Sequence, residues 1–430
     1  ALALTLASTM AFSMVGCGSS SKDSSEGKSD DGTITLNVWH QWSNDTNELK
    51  GRYEEAVKAY EKENPKVKIK TETLDTEAYK TKINAEFAGD AKGIDVFYWW
   101  GAGTAKKLVD AGKVMPLDDY ITDEVKSNMM EGATSAFEYD GKLYSVPMFS
   151  WYMTLFCNKA LFEKAGAKLP NTYDELVDAV KKLEKIKGVT PMAAGAKDGW
   201  NAAFVYQALA LREVGATGVN DMLSGKKEFG DEGYTKAAEK VKDLYEMGAF
   251  GDNPLEQGND DANAAFENGK AAMRIMGSWF ANNVYTDKAA TIKPEDVVAL
   301  KIPTISDGKG EATDYCGGFV ESFWVNNNTK YKEEAAKFAI YINEKMGVAS
   351  YETGSGFSGW KTKADESKLN PLFIQIKDLL SEGKQGVLAW DTSLEAEPAA
   401  VHNEQVQTLF ADGADVKAFI EEHKAAINGK

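Results

Sequence analysis

Tryptophan is costly to leave in water, yet four of the ten tryptophans in this 430-residue chain crowd into two short stretches. Trp39, Gln41 and Trp42, with Asp45 just beyond, close one stretch; Trp99 and Trp100 close the other. Rings beside an amide and a carboxylate suit non-covalent capture of a ligand that covers them. Other chemistries fit the residues less well. Three histidines without a His-Glu-x-x-His spacing argue against a metal site, and no cofactor is expected. Gly27-Lys28-Ser29 has Lys22 where a phosphate-binding loop needs glycine, and Gly356-Phe357-Ser358-Gly359-Trp360 lacks the last glycine of a nucleophile elbow. With 66 acidic residues, a carboxylate pair for glycoside hydrolysis can always be drawn, so the count alone discriminates nothing. The net charge of −17 repels phosphate and argues against nucleic acid as a partner.

The elements that must carry these residues follow from periodicity. Ile34, Leu36 and Val38 alternate as a strand; Leu49, Tyr53, Val57 and Tyr60 recur at helical spacing before Pro65. Val67–Lys70 alternates again, Tyr79, Ile83 and Phe87 mark a second helix, and Ile94–Tyr98 is an apolar strand before a third helix with Leu108 and Val109. This β-α-β-α-β-α order predicts an α/β fold with a parallel sheet. Ligands of such sheets sit beyond the carboxyl ends of the strands, which is where both tryptophan pairs fall. Trp99 and Trp100 are adjacent, so in extended chain one of them points inward.

Downstream, residues 144–157 predict two strands around a turn, Thr172 and Glu175 a capping box, 271–276 a strand ending at Gly277-Ser278-Trp279, and 319–325 another strand. Helices are expected near 331–345, 371–381, 397–410 and 415–427, with His402 and His423 on solvated faces and Trp324 in the core. Roughly 400 residues exceed what one core serves, so two domains are expected. Cys157 and Cys316 lie in apolar runs and read as buried free thiols.

The amino terminus is different in character. Leu2–Val15 is apolar but shorter than the roughly 20 residues a membrane helix needs, and reads as part of a secretory signal over residues 1–16. Met14-Val15-Gly16-Cys17 resembles the lipobox of bacterial lipoproteins, which implies cleavage before Cys17 and its acylation. Residues 17–32, without an apolar side chain after the cysteine, read as a flexible tether.

From Thr33 to Asn428 the ordered motifs resemble the extracellular solute-binding proteins of sugar ABC importers, the maltose-binding-protein-like group. The resemblance is carried by Gly93-Ile94-Asp95-Val96, Gly141-Lys142-Leu143-Tyr144-Ser145-Val146-Pro147, Asn158-Lys159-Ala160-Leu161-Phe162 and Pro170-Asn171-Thr172-Tyr173-Asp174-Glu175-Leu176. Gly277-Ser278-Trp279 and Gly317-Gly318-Phe319-Val320 add to it. It implies the periplasmic-binding-protein fold: two hinge-joined lobes with the ligand between them, lobe one at 33–136 and 317–356, lobe two at 137–316 and 357–430. It also implies delivery of a sugar to an ABC transporter permease without catalysis; the number of candidate stacking residues points to an oligosaccharide, and Cys17 with its tether to a lipid anchor on the outer side of a Gram-positive cell membrane, the receptor being expected as a monomer. A secreted glycoside hydrolase and a receptor for a non-sugar solute are the alternatives. By resemblance the ligand residues are Trp39, Gln41, Trp42, Asp45, Trp99 and Trp100 from lobe one. From lobe two they are Trp151, Tyr152, Trp200, Trp279, Trp360, Trp390 and Asp391, with Asn201 and Glu321 weaker candidates.

Overall fold

The computed structural model describes residues 32–44 and 47–429; Cys17, its tether and Asp45 lie outside them. The first lobe follows the predicted alternation. β1 (Ile34–His40), β2 (Val67–Thr73) and β3 (Val96–Trp100) pair in parallel, with β1 in the middle. α1 (Glu48–Glu63) starts where the Asn47 side chain accepts from the Leu49 N–H, and α2 (Thr76–Ala88) where Asp75 accepts from Ala78. Their buried stripes, Tyr53 and Tyr60 on one and Tyr79, Ile83 and Phe87 on the other, cover the sheet. The Tyr79 hydroxyl lies 3.1 Å from the Trp39 carbonyl and 2.6 Å from that of Tyr98, tying the ends of β1 and β3 together.

The far edge of this sheet is the strand Glu321–Val325, antiparallel to β3 with Glu321 opposite Trp100 and Phe323 opposite Tyr98. It comes from far along the chain. Residues 319–325 are therefore not one strand, as their apolar run suggested. Asp314–Phe319 pairs in the second sheet, Glu321–Val325 in the first, and the break falls at Val320.

The second sheet is built on Phe149–Asn158, a single ten-residue strand where the sequence suggested a hairpin. On one side it pairs with Asp314–Phe319, on the other with Ala271–Gly277, which continues to Thr190–Met192. Being flanked on both sides, it is buried along nearly its whole length. Cys157 and Cys316 are free and buried here, and burial raises both thiols. The Thr172/Glu175 capping box opens the helix Tyr173–Leu183 as expected.

Each sheet has its own core. The first gathers side chains from Leu36 to Phe149, then Phe323 to Met346, and finally Trp360; the second runs from Trp151 to Cys316 and from Leu369 to Ile420. The crossings thus lie at residues 149–151, at Val320 and between 346 and 369. The expected boundaries at 136 and 317 fall short because the segment 137–149 still packs on the first core while Gly317–Phe319 still pairs in the second sheet, whereas 356 lies within the third crossing. No described helix is long and apolar enough to cross a membrane.

His402 and His423 are fully buried, against expectation. Their helices are polar overall, but the faces carrying the imidazoles turn toward the helix Gly199–Leu223. The Trp390 N–H donates to Gln207 Oε1 (3.4 Å), and Gln207 Nε2 faces His402 Nε2 (2.9 Å). His402 Nδ1 faces His423 Nε2 (2.9 Å), and His423 Nδ1 faces the Phe419 carbonyl (2.9 Å). A carbonyl only accepts, so His423 carries its proton on Nδ1, and the roles propagate back: both rings are neutral and every nitrogen is used. Burial depresses both, His423 to about 4. Between roughly pH 6.5 and 4 the unfolded chain therefore binds protons that the folded chain refuses, and this part of the stability is lost as pH falls. His402→Gln should cost about 1–3 kcal/mol at pH 7 in urea denaturation. The deficit should shrink at pH 5, by up to about 1.4 kcal/mol per pH unit. A constant deficit would mean that His402 is protonated in the folded chain.

Candidate functional site

A cleft of about 1180 Å³ lies between the lobes. Lobe one contributes the ends of β1 and β3 and the start of α2. Lobe two contributes the starts of the helices Gly199–Leu223 and Asn259–Glu267, the turn after Ala271–Gly277, and Ala389–Thr392. Its middle is aromatic. Trp151 stacks on Phe204 (5.3 Å) and meets Trp279 edge-on (5.1 Å), and Trp200 packs on Phe204 (5.3 Å). Across the cleft stands Trp100, edge to Trp99. The Lys80 ammonium of α2 lies 5.1 Å from the Trp100 ring and 5.8 Å from the Trp200 ring, spanning the two lobes.

Local sequence explains how these rings are held. A Cβ on Gly277 would lie 2.0 Å from the Trp279 ring, so only glycine lets that indole fold back over its own strand. Trp151 faces the cleft because its neighbours alternate: Tyr152 points the other way and packs on Tyr315 and Phe357.

Around the rings the walls are polar and predominantly acidic. The Asn259 N–H donates to Asp198 (2.6 Å), yet burial raises the Asp198 carboxyl. Burial likewise raises Asp391, partly offset by Lys80. Glu267 is pushed up to about 7 by burial and then by Asp287 beside it. Glu321 is pushed up to about 8 by burial, which outweighs the Trp100 indole and the Tyr98 hydroxyl next to it. Gln41 Oε1, the Tyr98 hydroxyl, the Trp99 indole N–H and Glu321 Oε2 are buried without a hydrogen-bond partner. Among the described residues, no group of three or more His, Cys, Asp or Glu side chains is arranged to hold a metal ion.

Gln41, Trp42, Trp99, Trp100, Trp151, Trp200, Trp279, Glu321 and Asp391 thus line the cleft. Trp99 and Trp100 both reach it, with Trp100 the more exposed. Trp39, Tyr152, Trp360, Trp390 and Asn201 do not line it, and these expectations are corrected. Trp39 is packed in the first core under Lys82. Trp360 is in that core too, its indole donating to the Pro147 carbonyl (2.6 Å) after the chain doubles back. Trp390 is enclosed by Tyr206, Phe229, Tyr234 and His402. Asn201 accepts from Arg274 (3.3 Å) in the second core. His40 is also a core residue, its ring against Tyr53 (4.3 Å), and Trp324 is buried as expected. Tyr98, Lys80, Asp198, Phe204 and Asn259 line the cleft without having been singled out; Asp198, two residues before Trp200, was the most accessible of them from sequence.

Residues 44–349 match the family model of bacterial extracellular solute-binding proteins. The chain belongs to that family. A solved structure described under xylan utilisation by the thermophilic bacterium Caldanaerobius polysaccharolyticus is 36% identical, with a TM-score of 0.86 over 91% of this chain and 99% of that one. The galactooligosaccharide-binding protein of Bacillus subtilis (strain 168) is 28% identical over 84% of this chain and 80% of its own. The multiple sugar-binding protein of Streptococcus mutans is 25% identical over 77% of each.

The lobes also touch beside the cleft. Helix α3 (Gly103–Asp110) begins against residues 391–395: Thr104 Oγ1 is 3.4 Å from the Asp391 and Thr392 carbonyls, and Lys106 is 3.9 Å from Glu395. A Cβ on Gly103 would lie 2.2 Å from the Leu394 carbonyl oxygen. Gly103→Ala should therefore hold the lobes apart, raising the radius of gyration in small-angle scattering with little change in melting temperature. An unchanged scattering curve would show that the two segments are not in contact in solution.

Proposed function

We propose that this chain is a receptor that captures an uncharged oligosaccharide outside the cell and passes it to an ABC transporter permease without chemical change. The observation that carries the reading is the aromatic middle of the cleft, to which both lobes contribute, ringed by carboxylates and amides. A sugar ring has an apolar C–H face that stacks on indole and a hydroxyl fringe that needs such planar partners. The cleft exceeds the roughly 300–1,000 Å³ of common small-molecule sites, which favours several rings over one. The names of the Bacillus and Streptococcus relatives point the same way.

Charge narrows the class. Ten acidic side chains but only three lysines line the cleft. A uronate would meet repulsion, and burial does not favour two like charges. Amino acids and peptides need a cationic clamp for their carboxylate; Arg212 and Arg274, both buried, serve backbone carbonyls and amides of the second core instead. Absence of catalysis belongs to the same proposal, as do a monomeric state and lipid attachment through Cys17 to the outer face of a Gram-positive membrane.

Calorimetric titration with neutral oligosaccharides of increasing length, and with uronate-bearing chains of equal length, tests this. Affinity should rise beyond one ring and be lost with the acidic series; maximal affinity for a monosaccharide, or tighter binding of uronates, would refute it. Bound sugar recovered intact after long incubation is expected, and shortened products would point to hydrolysis. Trp279→Ala should weaken binding by more than about 1 kcal/mol, whereas unchanged affinity would remove Trp279 from the site.

A further inference from the structure

The lobe-one end of the cleft holds a group of buried polar atoms that lie near one another without forming well-shaped hydrogen bonds. Glu321 is 6% exposed and Tyr98 fully buried. Glu321 sits opposite Trp100 in the antiparallel pairing, and its carboxyl lies against the Tyr98 hydroxyl and the Trp100 indole. Gln41 approaches Tyr98 from the end of β1. Yet Glu321 Oε2, the Tyr98 hydroxyl and Gln41 Oε1 approach one another only loosely, none of them in a well-formed hydrogen bond, while all three residues line the cleft. Leaving buried polar atoms unpaired is destabilising, so a group of three at a cleft wall points to a ligand that completes them.

We propose that Gln41, Tyr98 and Glu321 form a hydroxyl-binding subsite for one ring of the bound sugar, in which the Glu321 carboxyl is un-ionised and donates a hydrogen bond to a sugar oxygen. This rests on the sugar-receptor reading. The inventory is matched: Gln41 Oε1 accepts, the Tyr98 hydroxyl does either, and a neutral carboxyl donates through one oxygen and accepts through the other. Neighbouring hydroxyls on a sugar ring both donate and accept, so they satisfy all three. An ionised carboxylate would only accept, and among the described residues no lysine or arginine pairs with it, the Lys80 ammonium standing over the Trp100 ring instead (5.1 Å).

The surroundings favour the neutral form. Burial pushes the carboxyl up to about 8. Lys80 on α2 reaches this corner over the Trp100 ring (5.1 Å), and the buried histidine and tyrosines around it stay neutral through the same range. His40 on β1 is pushed down to about 3 by burial and by Lys50 on α1. Tyr53 on α1, Tyr79 on α2 and Tyr98 on β3 are all raised by burial. Behind the carboxyl, the adjoining crossing segment and the helix Lys332–Glu352 present uncharged groups, the Met148 N–H to the Glu321 carbonyl and Asn343 to Phe323.

The test is titration of the intact protein with a neutral oligosaccharide that it binds, from pH 6 to pH 9.5, for wild type, Glu321→Gln and Glu321→Leu. A bound neutral donor makes wild-type affinity flat to about pH 8 and falling above it. Glu321→Gln, which keeps a donor and an acceptor, should bind within a few-fold of wild type and lose that fall. Glu321→Leu should bind at least tenfold more weakly at pH 7 while melting no lower than wild type, since it removes a buried unpaired group. Wild-type affinity that rises above pH 8, or Glu321→Leu binding as wild type does, would overturn the subsite. Failure of wild type to bind any neutral oligosaccharide would overturn the receptor reading and the subsite with it, an outcome distinct from both.

Discussion

The geometry of the cleft depends on one place where strands from distant parts of the chain run side by side. Ser150, Trp151 and Tyr152 pair with Phe319, Gly318 and Gly317, and Phe357 pairs with Ser150 on the same strand. A Cβ on Gly317 would lie 2.0 Å from the Trp151 carbonyl oxygen, and its φ of +136° is one that side chains resist. Glycine there permits the approach. One residue beyond this ladder the chain leaves the second sheet at Val320 and enters the first as Glu321. The same few residues thus join the lobes, aim Trp151 into the cleft and set Glu321 against Trp100.

That arrangement explains why the cleft is apolar in its middle and unsatisfied at one end. Rings held by a central strand and by each other need no ligand to be stable, and Trp151, Phe204 and Trp279 form a cluster continuous with the second core. The polar atoms near Glu321 are held equally firmly, because Ser322 and Phe323 are fixed by Ser145 and Asn343 behind them. Rigid supports keep these groups in position at the expense of their own hydrogen bonding. A receptor preorganised in this way loses little ordering entropy when ligand arrives.

Much of the first lobe was legible because its residues answer to local rules. Alternation in Ile34–Val38 and helical spacing in Tyr79, Ile83 and Phe87 report which face is buried, and the strand-end rule located Trp42, Trp99 and Trp100. The same rules fail where a distant segment decides. His402 looks solvent-facing in Ala396–Thr408, but the helix Gly199–Leu223 covers it; Trp390 looks like rim, but Tyr206 and Tyr234 close around it. Trp360 returns to the first core because its indole finds the Pro147 carbonyl, a partner more than 200 residues earlier. For Trp151 and Tyr152 alternation required opposite faces, and only the pairing partner could set which was which.

Glu321 is the instructive intermediate case. An acidic residue opening the run Glu321–Val325 conflicts with burial unless something offsets the cost, and that conflict was visible in sequence. What sequence lacked was the crossing at Val320, which turns an apparent mid-strand position into the first residue of an edge strand. At that position the carboxyl emerges at the cleft instead of inside a layer. A local inconsistency in a pattern is thus resolved by topology, and it falls at the wall where the ligand is proposed to lie. The buried imidazole pair shows the opposite outcome: there each polar atom finds a partner within the fold, and the polar residues support the core alone.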